Sequence, residues 1–121
     1  MLFRSMSPTI VLRDGRVVLV TGSPGGSRII STVLQVIVNV LDYHMDVAAA
    51  VAAPRLHHQW MPDEVKVEPG FPDEVLAGLR ARGHSVAESM GYSSANSIFV
   101  TPNGLLGAPD PRTHGAEAAV Q

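Results

Sequence analysis

Val18-Leu19-Val20-Thr21-Gly22-Ser23-Pro24-Gly25-Gly26-Ser27-Arg28 is the stretch whose reading decides the fold. It runs from a strand through a tight glycine loop into a helix. The first turn of a helix leaves several backbone N–H groups without an intrahelical partner. They point at whatever lies in front of the helix, where the macrodipole favours negative charge. Gly25 and Gly26 carry no Cβ, so a ligand can approach the main chain closely. Such a place suits a phosphate, a carboxylate or an oxyanion developing during acyl transfer, for which removing one fixed donor costs about 10²–10³ in rate. The plain alternative is a strand-to-helix turn whose glycines serve geometry alone. No Lys follows the glycines as in a Walker loop, and neither the G-x-G-x-x-G spacing nor a G-x-S-x-G elbow is present. Ser23 as a nucleophile has no supporting pattern.

Working outward, Thr9 to Arg13 and Arg16 to Thr21 read as two strands around Asp14-Gly15, a two-residue hairpin signal. Arg13 and Arg16 then oppose each other, at a small electrostatic cost. Both strands are continuous apolar runs, the pattern of strands covered on both faces. After the loop, the spacing predicts a helix over about 28–43. Ile30, Val33, Leu34, Ile37 and Leu41 make one apolar face, and Ile29, Val36 and Val40 a second, so the helix is expected to be largely buried. Asp46 caps a short Ala-rich helix that ends at Pro54. Residues 55–59 read as extended and 64–68 as a half-exposed strand. A helix begins at Pro72-Asp73-Glu74 and ends by Arg80, Arg82 and Gly83, a charge order that complements its dipole. A short strand follows at 84–87. Residues 96–101 and 105–108 form a second hairpin around Pro102-Asn103-Gly104, and 113–121 read as a frayed tail. The order β-β-α-α-β-α-β-β-β predicts a layered α/β fold with antiparallel pairing, not a doubly wound parallel sheet.

Composition narrows the function classes. The chain has 121 residues, one domain or part of one, with nine Lys and Arg against eleven Asp and Glu and a formal charge of −2. The positive residues are scattered, which argues against a nucleic-acid partner. Hydrophobic residues make up 45% and charged ones 17%, so the chain is not of the disordered class, and sparse charge points to surface covered by something else. With no cysteine, disulfides and thiolate zinc sites are excluded. The apolar stretch from Ile29 to Leu41 is too short and too polar for a membrane span, and Met1 to Met6 has no signal-peptide h-region. His57-His58 are adjacent on an extended segment and point to opposite faces, so a shared metal is not expected. Trp60 reads as an anchor in a core or an interface rather than a ligand platform, and Asp110-Pro111-Arg112 as a structural ion pair ahead of a site residue. Arg4-Ser5-Met6-Ser7-Pro8 offers hydroxyls and a guanidinium that suit a carboxylate, or simply a polar turn.

Taken together, Ser5-Met6-Ser7-Pro8-Thr9-Ile10-Val11, Asp14-Gly15, Val20-Thr21-Gly22-Ser23-Pro24-Gly25-Gly26-Ser27-Arg28-Ile29-Ile30, Ala53-Pro54-Arg55-Leu56-His57-His58-Gln59-Trp60, Pro62-Asp63-Glu64 and Gly107-Ala108-Pro109-Asp110-Pro111-Arg112 resemble the γ-glutamyltranspeptidase family, in order, over nearly the whole chain. The resemblance implies an N-terminal-nucleophile hydrolase with an αββα sandwich. In that family a precursor cleaves itself into large and small subunits. The small subunit's new N-terminal Thr attacks the γ-glutamyl amide of glutathione, with its own α-amine as base. The acyl group then passes to water, an amino acid or a peptide.

By this resemblance residues 1–121 are the C-terminal part of a small subunit. Gly25 and Gly26 match the paired glycines of the oxyanion hole. Ser5 matches the second of two adjacent serines that hold the substrate's α-carboxylate, and Arg4 stands where the first usually does, a bulkier and charged group. The nucleophilic Thr, its supporting Thr and the acidic residues that bind the substrate amine all belong upstream of Met1 in the family. The chain is therefore expected to be inactive alone and to need a Thr-bearing segment and a large subunit as partners. A complementing subunit of a split enzyme, and a non-catalytic module that binds an anion or self-associates, are the competing expectations. No cofactor or metal is implied, and the family suggests a periplasmic or extracellular location.

Overall fold

The computed structural model describes residues 6–89, 93–115 and 117–118 of the chain. They divide into two compact units, one of the described residues up to 53 and from 93 on, the other of those between.

The first unit is built on β1 (Thr9–Arg13) and β2 (Arg16–Gly22), which form a hairpin. Asp14 and Gly15 both take positive φ, 53° and 76°, the geometry whose twist matches a two-residue hairpin. Arg13 faces Arg16 across the turn, both at the surface, and the register slips between Val11 and Leu12. β2 also pairs antiparallel with β6 (Asn96–Thr101), and β6 with β7 (Gly104–Ala108), giving the order β1-β2-β6-β7. A 3₁₀ turn (Gly26–Arg28) leads into α1 (Ile29–Leu41), and α2 (Val47–Ala52) follows. Asp46 caps α2 by accepting from the Ala48 and Ala49 amides at 2.9 and 3.3 Å. Ala53, forced extended by Pro54, ends it at ψ 143°.

Both helices cover one face of the sheet. Val36, Val40, Val47, Ala50 and Val51 pack with Leu19, Ala95 and Ala108 into one buried cluster. Two expectations fail here. The buried face of α1 is Ile29, Thr32, Val33, Val36 and Val40. Ile30 and Leu34, expected inside, are 76% and 57% exposed, because α1 rests on a single sheet. The strands, too, are covered on one face only. The cross-strand row Ile10, Val20, Ile98 and Gly107 belongs to the other face, and Ile10 and Ile98 are 61% and 41% exposed. A pocket of about 390 Å³ opens between Val20, Ile98, Gly107 and residues 117–118.

In the second unit β3 (Leu56–His57) pairs antiparallel with β4 (Val65–Val67), and β4 pairs with β5 (Val86–Glu88). The β4–β5 pair is parallel, whereas the other described strand pairs are antiparallel as expected. A helix, α3 (Asp73–Ala81), joins them, and a crossover of that length returns the chain to the end where β4 began. Asp73 and Glu74 stand in its first turn and Arg80 in its last.

Candidate active-site loop

The loop that leaves β2 is shaped by two backbone conformations that side chains rarely adopt. Gly25 has φ 136° and Gly26 φ 60°. A Cβ added to Gly25 would lie 3.0 Å from the Ser93 Cβ and 3.4 Å from its Cα. Gly25 is therefore pressed from behind, whereas a Cβ on Gly26 would meet nothing within 4 Å. The Arg28 N–H donates to the Gly25 carbonyl at 3.2 Å and closes the turn. Among the described residues, neither the Gly25 nor the Gly26 N–H donates to a protein acceptor. Two adjacent main-chain donors thus remain unmade at the entrance of a thirteen-residue helix, with open space beside Gly26.

The surroundings of the loop are buried hydroxyls. Ser23 is fully buried, and its Oγ donates to the Pro24 carbonyl at 2.6 Å, so it is not placed as a nucleophile. Thr21 Oγ1 and Ser97 Oγ share a hydrogen bond of 2.8 Å across β2 and β6, and Thr32 Oγ1 and Ser93 Oγ one of 2.7 Å. The hydroxyl pairs escaped sequence reading because their members stand 76 and 61 residues apart.

Arg4 and Ser5 lie outside the described residues. The segment just after them does not. A Cβ on Gly22 would fall 3.2 Å from the Pro8 Cα and 3.6 Å from the Ser7 carbonyl oxygen, so Ser7-Pro8 runs alongside the start of the glycine loop.

The remaining candidates have structural surroundings. Asp110 is completely buried and accepts from the Ala95 N–H at 2.6 Å and the Arg112 N–H at 2.9 Å. Its ion pair with Arg112, at 3.2 Å, is the expected one, and Arg112 also donates to the Val51 and Ala53 carbonyls at the end of α2. In the second unit His57 Nε2 pairs with Gln59 and His58 Nε2 with Asp63, both at 3.1 Å. Among the described residues, no three His, Asp or Glu side chains gather as metal ligands, and no helix is long and apolar enough to cross a membrane. Trp60 is 79% exposed, so it anchors no core within its own unit.

Comparison with known proteins places the chain in a family. The family description Gamma-glutamyltranspeptidase matches residues 2–120. The Glutathione hydrolase proenzyme of Escherichia coli K12 is 58% identical over 110 residues, 90% of this chain and 19% of that protein. That of Pseudomonas sp. strain A14 is 41% identical over 119 residues, 89% of this chain and 21% of the relative. The chain thus spans about a fifth of the length of these curated relatives. A crystal structure of the Helicobacter pylori γ-glutamyltranspeptidase, a mutant, superposes with a TM-score of 0.86 at 49% identity, over 90% of this chain and 61% of that one. The layered α/β arrangement with antiparallel strands is the fold of these structures.

Proposed function

The chain belongs to the γ-glutamyltranspeptidase family, and on that premise we propose that its 121 residues are the C-terminal part of a small subunit and supply one half of an acyl-transfer centre. The Gly25 and Gly26 amides form the oxyanion hole for attack on a γ-glutamyl amide such as that of glutathione. The attacking Thr comes from a segment upstream of this region, and the acyl group passes on to water, an amino acid or a peptide. One observation carries the reading: among the described residues, two adjacent N–H groups have no protein acceptor, beside open space at Gly26. An oxyanion hole needs donors that are fixed in advance and left unmade until charge develops. The carboxylate grip is assigned to Ser5 and Arg4. The run of Ser7-Pro8 beside Gly22 supports drawing it from the residues just before them.

The partner is the rest of the parent enzyme. The exposed row of Ile10 and Ile98 supports a second sheet lying on that face, as in an αββα sandwich. The same row favours one other reading, self-association of the isolated chain through an open apolar face.

The test is turnover of a γ-glutamyl anilide. These 121 residues alone release no product. Mixed with the Thr-bearing segment and large subunit of the Escherichia coli relative, they restore turnover, and Gly26→Val lowers it by about 10²-fold. Product release by the chain alone would overturn the reading. So would full turnover of the Gly26→Val assembly.

A further inference from the structure

Thr32 sits in the first turn of α1 and Ser93 sixty-one residues later, just before β6. Both are buried, and their hydroxyls meet at 2.7 Å. A buried hydroxyl is costly unless it is bonded, and a Val at position 32 would fill the same volume without that requirement. The pair therefore contributes direction rather than bulk. Ser93 is also the residue against the back of Gly25, 3.0 Å from where a Cβ would stand. It touches the loop with its carbon side and the helix with its oxygen. We infer that the Thr32–Ser93 hydroxyl pair is a positioning device that sets the aim of the Gly25 and Gly26 amides.

The inference deepens the oxyanion reading and rests on it for its catalytic meaning. Gly25 and Gly26 hold positive φ, and no hydrogen bond to a protein acceptor fixes their N–H groups among the described residues. The Arg28 N–H to Gly25 carbonyl bond closes the turn, and the further constraint on their direction comes from what is packed against Gly25. Ser93 supplies the surface, and Thr32 ties that surface to the helix whose entrance the amides occupy. A displacement of roughly half an ångström is enough to spoil a donor aimed at a developing charge. Neither residue touches substrate; both act through the loop.

Packing and positioning predict opposite orders for two substitutions. Thr32→Val keeps the shape and removes the hydroxyl, while Thr32→Ser keeps the hydroxyl and removes a methyl group. If Thr32 is only filler, Val is harmless and Ser is not. If it positions the loop, Ser is harmless and Val is not. The measurement is ¹⁵N–¹H NMR of the 121-residue chain, following shift and hydrogen exchange at Gly25 and Gly26 against Leu19 and Val20 as references. Thr32→Val and Ser93→Ala are expected to shift both glycine amides and speed their exchange by about tenfold or more, on the scale of a local opening. The reference amides stay put, and Thr32→Ser resembles the wild type. Unchanged glycine amides in Thr32→Val and Ser93→Ala would overturn the inference, as would equal changes in the reference strand.

In the complemented assembly, Thr32→Val should lower kcat by about tenfold with KM within about twofold, since only the transition state gains from the aim. Thr32→Ser should restore kcat. A fall in KM-governed binding with kcat intact would overturn the positioning role. If Gly26→Val leaves turnover untouched, the oxyanion reading fails instead, and the NMR comparison still decides whether the pair aims the loop.

Discussion

The two loop glycines should differ sharply in what they tolerate, although they are neighbours in one motif. Gly25→Ala places a Cβ 3.0 Å from the Ser93 Cβ at a φ of 136°. The unusual backbone costs about 1–3 kcal/mol. The overlap, half an ångström or more inside a comfortable carbon contact, adds about 1–3 kcal/mol of overpacking. The sum is on the order of 3 kcal/mol, or roughly 10 °C in Tm for a domain of this size. Gly26→Ala meets nothing within 4 Å and has φ 60°, in the left-handed region. It costs about 1–2 kcal/mol in backbone strain, and about 0.4–1 kcal/mol is regained from the stiffer unfolded chain. The net is about 1 kcal/mol. Urea denaturation of the 121-residue chain measures both. A double-mutant cycle with Ser93→Gly then separates overlap from strain. Removing the Ser93 Cβ should relieve Gly25→Ala by about 1–2 kcal/mol relative to additivity and leave Gly26→Ala unaffected. Equal losses for the two alanines, within about 0.5 kcal/mol, would refute the reasoning. A cycle with no coupling would leave the Ser93 contact without energetic weight.

Three other substitutions probe the buried ion pair, the helix cap and the exposed row. Asp110→Ala strips the acceptor from the Ala95 and Arg112 amides and leaves the Arg112 guanidinium without its carboxylate; it should cost about 3 kcal/mol or more, read from the urea midpoint. Asp46→Ala loses the cap of α2, about 1 kcal/mol by the same measurement, with far-UV circular dichroism nearly unchanged. Ile10→Lys places a charge in the bare row of the sheet; it should leave the midpoint within about 0.5 kcal/mol and reduce association seen by light scattering at high concentration.

What could be read from the amino acids was local. β1 and the Asp14-Gly15 turn follow from two apolar runs around residues that accept positive φ. The cap of α2 follows from Asp46 before an alanine run, and the ends of α3 from its charge order. The bend of the glycine loop was legible because Gly25 and Gly26 take a positive φ that side chains rarely adopt, and the proposed site rests on that bend. What failed depends on neighbours far along the chain. Ile30 and Leu34 carry the same apolar periodicity as Val33 and Val36, and only the sheet beneath chooses which side is buried. The register slip between Val11 and Leu12 leaves no mark in a run where every residue is apolar. The direction of the β4–β5 pair, on which the sequence is silent, depends on how α3 carries the chain across. The Thr32–Ser93 bond joins two ordinary polar residues whose meeting no spacing announces.

On the proposed reading, the division between what this chain carries and what it needs follows from where each part of the chemistry is held. Oxyanion donors belong to the main chain, and here β2, α1 and the hydroxyls behind the loop all lie in one compact unit. Their aim can be set without help from outside that unit. The carboxylate grip and the nucleophile are side-chain properties; the grip is proposed for this chain's own Ser5 and Arg4, and the nucleophile must be brought to the donors by other segments. Those segments need a surface to settle on. The first unit leaves Ile30 and Leu34 bare on α1, and Ile10 and Ile98 bare on the sheet, while only 17% of the residues are charged. A chain selected to stand alone would place charge on such faces. On the proposed reading, apolar rows kept beside the donor loop are what a unit requires when its reaction is completed by a partner packed against it.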